Sequence, residues 1–165
     1  MNTQELLLKT AFCCMACDGD IDKEEISLLK KHTTESNLFV GLSVEEKLNE
    51  YVEAINKQGK MFLASLLSEI VSMNLSASEE LQIVKLAIEM IEADKLIEYS
   101  EIAFFKRIRA KLKISDEEIL SELPDKEDYL LPDIIDDEID TDISFNNISI
   151  SKFNIQVNDS NNNVG

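Results

Sequence analysis

Five times in its first 123 residues the chain repeats one local signature: a small polar residue, two arbitrary positions, then glutamate. The pairs are Asn2 with Glu5, Asp22 with Glu25, Ser43 with Glu46, Ser76 with Glu79 and Ser115 with Glu118. Each reads as a capping box. The first side chain accepts from orphan N–H groups of a new helix, and the acid three residues on reaches back to the cap. With only four Gly and two Pro in 165 residues, little interrupts the helices so begun. The spacing predicts helices near 3–17, 23–34, 44–58, 60–74, 79–93, 100–112 and 116–123, with Gly59 dividing the third from the fourth. The expected fold is all-α, a compact bundle of about seven helices.

Hydrophobic periodicity ranks these helices. LLLKTAFCCMAC, MFLASLLSEIVSM and LQIVKLAIEMI are apolar on most faces and are expected at the centre. Leu48, Val52 and Ile55 mark an amphipathic third helix, and Ile102, Phe105 and Arg109 recur at helical spacing in the sixth. The basic run KRIRAKLK, 106–113, reads as a solvated helix face. From Pro124 the helical period stops. Residues 124–165 hold ten acids against two bases and end in NDSNNNVG, so the chain divides into a helical domain, 1–123, and an acidic, largely disordered tail, 124–165. Within the tail, ISISKFNIQV alternates apolar and polar residues, a pattern that suits strand addition to a partner's sheet edge or only brief docking.

The formal charge of −17 repels nucleic acid and anionic lipid and favours cations and basic protein surfaces. No run is apolar enough to span a bilayer, and MNTQELLLKT lacks the basic start of a secretory signal. Cys13, Cys14 and Cys17 lie in one apolar segment, a poor disulfide framework that suits packing in a reducing cytoplasm. The one histidine, His32, falls off the apolar stripe and is expected at the surface. No Ser/His/Asp set or phosphate-cradling glycine loop is present, so the chain is read as no enzyme.

The chain also repeats itself at an offset of 76 residues. Lys9 aligns with Lys85, Ala11 with Ala87, Asp18 with Asp94, Ile21 with Ile97, Asp22 with Glu98, Glu25 with Glu101, Ile26 with Ile102 and Lys30 with Lys106. The unit is an apolar helix, an acidic turn around a buried isoleucine, and a second helix opened by acids. Two copies imply a pseudo-twofold domain.

Each acidic turn has two readings. Gly19 supplies positive φ after the first helix, Asp22 and Glu25 cap the next, and the acids are then helix caps. Alternatively Asp18, Asp20, Asp22 and Glu25, with Asp94, Glu98 and Glu101 from the second copy, supply carboxylate oxygens to a divalent cation. Hard oxygen donors favour Ca²⁺ or Mg²⁺ over Zn²⁺. The loop is not an EF-hand, because Lys23 stands where that loop needs glycine and Leu29 where it needs a bidentate glutamate.

An apolar helix running into ACDGDIDKEE, with a degenerate copy EADKLIEYSE, resembles the TerB family of tellurite-resistance and stress-response proteins, over residues 1–123. The same domain occurs at the N-terminus of a membrane-associated DnaJ-type co-chaperone. The resemblance implies a helical bundle, acids that hold a divalent metal, and work through protein partners in tellurite, oxidative-stress or phage-defence systems, including membrane-associated complexes. Lys95 replaces the first copy's Gly19, and Leu96 its Asp20. The J-domain's His-Pro-Asp signature is absent, since His32 precedes Thr33. The alternative is a structural interaction domain without metal, whose acids cap helices and whose acidic tail binds a basic partner.

Overall fold

The computed structural model describes residues 2–17, 21, 23–35, 38–39, 41–93 and 99–131. Those residues form seven α-helices and one 3₁₀ turn: α1 Thr3–Ala16, α2 Lys23–Glu35, α3 Val44–Gln58, α4 Lys60–Ser72, α5 Ala77–Glu92, α6 Tyr99–Ala110, α7 Asp116–Glu122 and η1 Glu127–Leu130. The expected all-α bundle is the observed one, with helix ends within about two residues of the spacing argument.

Capping chemistry sets most of the starts. Asn2, Ser76 and Ser115 each accept from the backbone N–H three residues on, and Glu5, Glu79 and Glu118 bond back to the cap residue. Ser43 does not. Its backbone has ψ of 83° rather than the extended value of a capping residue, and its side chain makes no cap bond. Gly59 ends α3 with φ of 61° and ψ of −135°, a conformation open almost only to glycine, while its N–H closes on Ile55 O at 2.8 Å. The chain can therefore reverse into α4 without a loop.

The central helix is α1. Every residue from Leu6 to Cys17 is buried, because α3, α4, α5 and α6 all pack on it. A helix enclosed on all sides needs apolar residues on all faces, which LLLKTAFCCMAC provides. Phe12 meets Tyr51 at 5.6 Å and Phe62 edge-on at 5.9 Å between ring centroids. The polar intrusions are satisfied. Lys9 Nζ donates to Ser65 Oγ and Glu69 Oε1, both at 2.9 Å, and lies 4.6 Å over the Phe62 ring. Glu80 accepts from the N–H groups of Lys113 and Ile114 at 2.8 Å, fixing the turn that leads into α7.

The repeat is visible in the helix boundaries. α1 ends at Ala16 and α5 at Glu92; α2 starts at Lys23 and α6 at Tyr99, the same offset of 76 in each case. Thr3 Oγ1 donates to Glu79 Oε2 at 2.9 Å, so α1 and α5 start side by side and run in the same direction. The charged residues of the basic run 106–113 stay at the surface, as expected, and bond there to the chain itself: Lys106 Nζ donates to Leu131 O at 2.6 Å, Arg109 to Asp116 at 2.7 Å and Lys113 to Asn74 at 3.0 Å. The folded body also continues past Leu123. Tyr129 is buried, its ring edge-on to Phe105 at 5.5 Å, and its hydroxyl donates to Glu92 at 2.8 Å beside Lys126 at 2.9 Å. Residues 124–131 thus form a strap across α5 and α6. The strand-like stretch 148–157 lies outside the described residues.

Candidate functional site

Glu25 and Glu101 occupy the same position in the two copies, the third residue of α2 and of α6. Both are almost fully enclosed, at 1% and 2% exposure. The reason is local. One turn further on, Leu29 and Phe105 are core residues, and side chains four apart share a helix face. The face that buries Leu29 carries Glu25 inward, and the face that buries Phe105 does the same for Glu101.

The two carboxylates act on one buried thiol of α1. The Cys14 thiol is held well above its ordinary range, first by burial, then by its neighbour Cys13 and by the charges of Glu101 and Glu25. Both acids therefore lie within electrostatic reach of the same sulfur on α1. At the C-terminal end of α1, Cys17 Sγ is 3.5 Å from Cys14 O and 3.9 Å from Ser100 O at the start of α6. Glu101 also reaches the strap. The Tyr129 hydroxyl is pushed up by burial, by its bond to Glu92 and by the charges of Glu92 and Glu101. Enclosed charges of one sign are costly unless something of the other sign meets them. The N-termini of α2 and α6 supply part of that compensation, and each carboxylate has a bonding or electrostatic partner.

Asp18, Asp20, Asp22, Asp94 and Glu98, and the backbone of Gly19, lie outside the described residues. Ile21, between the first turn's acids, packs against the core as its expected tuck requires. Among the described residues no group of three or more His, Cys, Asp or Glu side chains could hold a metal ion. Of the seven candidate ligands, Glu25 and Glu101 are the two described ones; each is buried and is a carboxylate, the donor type that suits a hard cation.

The three cysteines are buried free thiols. Burial pushes Cys13 up as well, so the cluster packs as small apolar side chains. His32 differs from its expected plain surface position. Its Nε2 lies 2.8 Å from Glu89 Oε1, and its ring meets Phe39 edge-on at 6.4 Å, joining α2 to α5. Beside it a cleft of about 520 Å³ is lined by Thr3, Leu7, Leu38, Glu79 and Gln82. A smaller one of about 290 Å³ lies under the strap, between Glu92, Ile102 and Tyr129.

Sequence reasoning named Glu25 and Glu101 but not their burial. The signal was the apolar residue four positions after each. It missed Tyr129, an aromatic in an acidic stretch. Among the described residues, no helix is long and apolar enough to cross a membrane. No family model, curated protein or solved structure matches the chain.

Proposed function

We propose that the chain is a non-enzymatic module of TerB type that takes up one divalent cation, Ca²⁺ or Mg²⁺, where its two halves meet, and docks protein partners in a tellurite, oxidative-stress or phage-defence system of the cytoplasm. The observation that carries the metal reading is the burial of Glu25 and Glu101, one from each copy, with the charge of each felt at the same Cys14 thiol. A cation between them offsets two enclosed negative charges at once. In this reading Asp18, Asp20 and Asp22, with Asp94 and Glu98, complete an oxygen shell of the six to eight ligands Ca²⁺ takes, together with carbonyls or water. The partner reading rests on the resemblance of residues 1–123 to the TerB family and on the acidic tail, whose charge favours a basic protein surface.

The other reading, a metal-free interaction domain, is favoured by one observation. Glu25 and Glu101 stand in the first turns of their helices, where acids are stabilised without a metal. Thermal melts of the full chain separate the two, run in EDTA and then with millimolar Ca²⁺ or Mg²⁺. A ligand at 100 times its dissociation constant adds about 2.7 kcal/mol, which raises Tm by roughly 5–10 °C in a chain of this size. The cation reading expects that rise in the native chain and none in a Glu25→Gln, Glu101→Gln variant. Equal melts in EDTA and in both cations would leave the acids as caps.

A further inference from the structure

α4 differs from the other helices in what it shows to solvent. Its outward residues after Lys60 are Met61, Ala64, Ser68, Val71 and Ser72, none of them charged. Met61 and Val71 are 69% and 56% exposed, the two most exposed large apolar side chains among the described residues. The single acid of α4, Glu69, is turned onto Lys9. The outward positions of α3 and α7 instead carry Glu46, Glu50 and Glu53, and Asp116, Glu117 and Glu118. A chain of net charge −17 repels its own copies at most approaches. The outer face of α4 is where that repulsion is least.

The face is also symmetric in size. Met61 and Val71 lie at equal distances on either side of Leu66, and so do Ala64 and Ser68. Large residues stand at the ends and small ones in the middle, along one helical stripe. Leu66 itself is buried on the inner face, and two such helices crossing antiparallel about a twofold axis at its level set Ala64 of one against Ser68 of the other, where small side chains allow close approach. Met61 then covers Val71 of the second copy, and the contact is self-complementary, as a twofold interface must be. The exposed Lys60 comes to the C-terminal carbonyls of the other α4, where a cation is favoured.

We infer that the outer face of α4 is a homodimer interface, with a second copy of this chain docked antiparallel so that Ala64 and Ser68 of the two copies meet at its centre. One 13-residue helix on each side makes a small interface, below about 1,200 Å² in total, so the dimer is weak and forms with concentration. Sedimentation of the full chain from about 5 μM to about 1 mM tests it. The weight-average mass is expected to rise from 18.7 kDa toward twice that value. Ala64→Glu, at the centre, holds the mass at the monomer value. Ser27→Glu, an equal charge on the exposed face of α2, leaves the rise unchanged. Val71→Glu abolishes the rise, and adding Met61→Lys restores it, because the two charges meet only across the interface. Circular dichroism melts check that each variant is folded. A native chain that stays at 18.7 kDa throughout overturns the proposal. An Ala64→Glu chain that still dimerises, or a Met61→Lys, Val71→Glu chain that does not, overturns it as well.

Discussion

The two halves of the molecule share one unit and are held by different means. In the first, the α1–α2 unit is covered by α3 and α4, with Phe12, Tyr51 and Phe62 as an aromatic cluster and Lys9 locked onto Glu69. In the second, the α5–α6 unit lacks that cover. A short strap braces it instead, through Tyr129 on Phe105 and Lys126 on Glu92. The aligned lysines show the contrast most directly. Lys9 is enclosed, whereas Lys85 is exposed and only 3.5 Å from Glu122 on α7. What remains the same is the buried glutamate in the first turn of α2 and α6. The packing around the unit differs between the two copies while the inward acid is common to both.

Substitutions at aligned positions can break this comparison. The largest effect is expected at Phe12→Ala, which empties the aromatic cluster and costs about 3–5 kcal/mol; its counterpart Ile88→Ala costs about 2–4 kcal/mol. Urea titrations of both variants measure the difference, and an inert Phe12→Ala would sink the claim that α1 is the central helix. Next is Lys9→Met, which strands Glu69 and costs about 1–3 kcal/mol, while Lys85→Met stays within about 0.5 kcal/mol. Equal effects at the two lysines would mean that the halves are not held differently.

The strap gives a smaller test. Tyr129→Phe keeps the ring on Phe105 and removes the bond to Glu92, costing about 1 kcal/mol. Hydrogen exchange should quicken in α6 and not in α2. Capping separates two serines that look alike in sequence. Ser76→Ala is expected to cost about 1 kcal/mol and Ser43→Ala almost nothing, as read from paired thermal melts.

That last pair shows where the sequence was legible. Side-chain caps are local, so Asn2, Ser76 and Ser115 could be found from four-residue patterns. Ser43 fits the same pattern and fails because its backbone ψ of 83° is not that of a capping residue, which a four-residue pattern does not report. Gly59 was legible because only glycine tolerates its conformation. Burial of Lys9 was not, since its partner Glu69 lies 60 residues away and the pair exists only once α4 is placed. The strap was hidden by composition: one tyrosine among acids reads as tail until Phe105 offers it a face. At the candidate site the residue choice was legible from the repeat. The burial of Glu25 and Glu101 was not, since it exists only once α2 and α6 are packed against the core.

The smallest effect concerns pH. The Glu5 carboxyl is held below the usual carboxylate range chiefly by the Asn2 N–H, and that of Glu79 by the Ser76 N–H. A carboxyl whose value is lower folded than unfolded stabilises above the unfolded value, and that stability is lost as pH falls through the folded one. Tm should therefore drop on acidification below about pH 4. Glu5→Gln and Glu79→Gln should each flatten the drop, since neutral amides carry no such linkage. The alkaline side follows the thiols. Cys13 and Cys14 are raised by burial, so unfolding releases their protons and stability falls as pH rises past about 8.5.

The account's central claim is that the two copies share one cation. Isothermal titration of the EDTA-stripped full chain with Ca²⁺, and separately with Mg²⁺, tests it most directly, beside Glu25→Gln and Glu101→Gln as single variants. The account predicts one equivalent per chain for at least one of the two cations, with binding lost in either variant although they lie in different halves. Two equivalents, or binding that survives in one variant, would contradict a shared site, and no heat of binding with either cation would contradict the cation altogether.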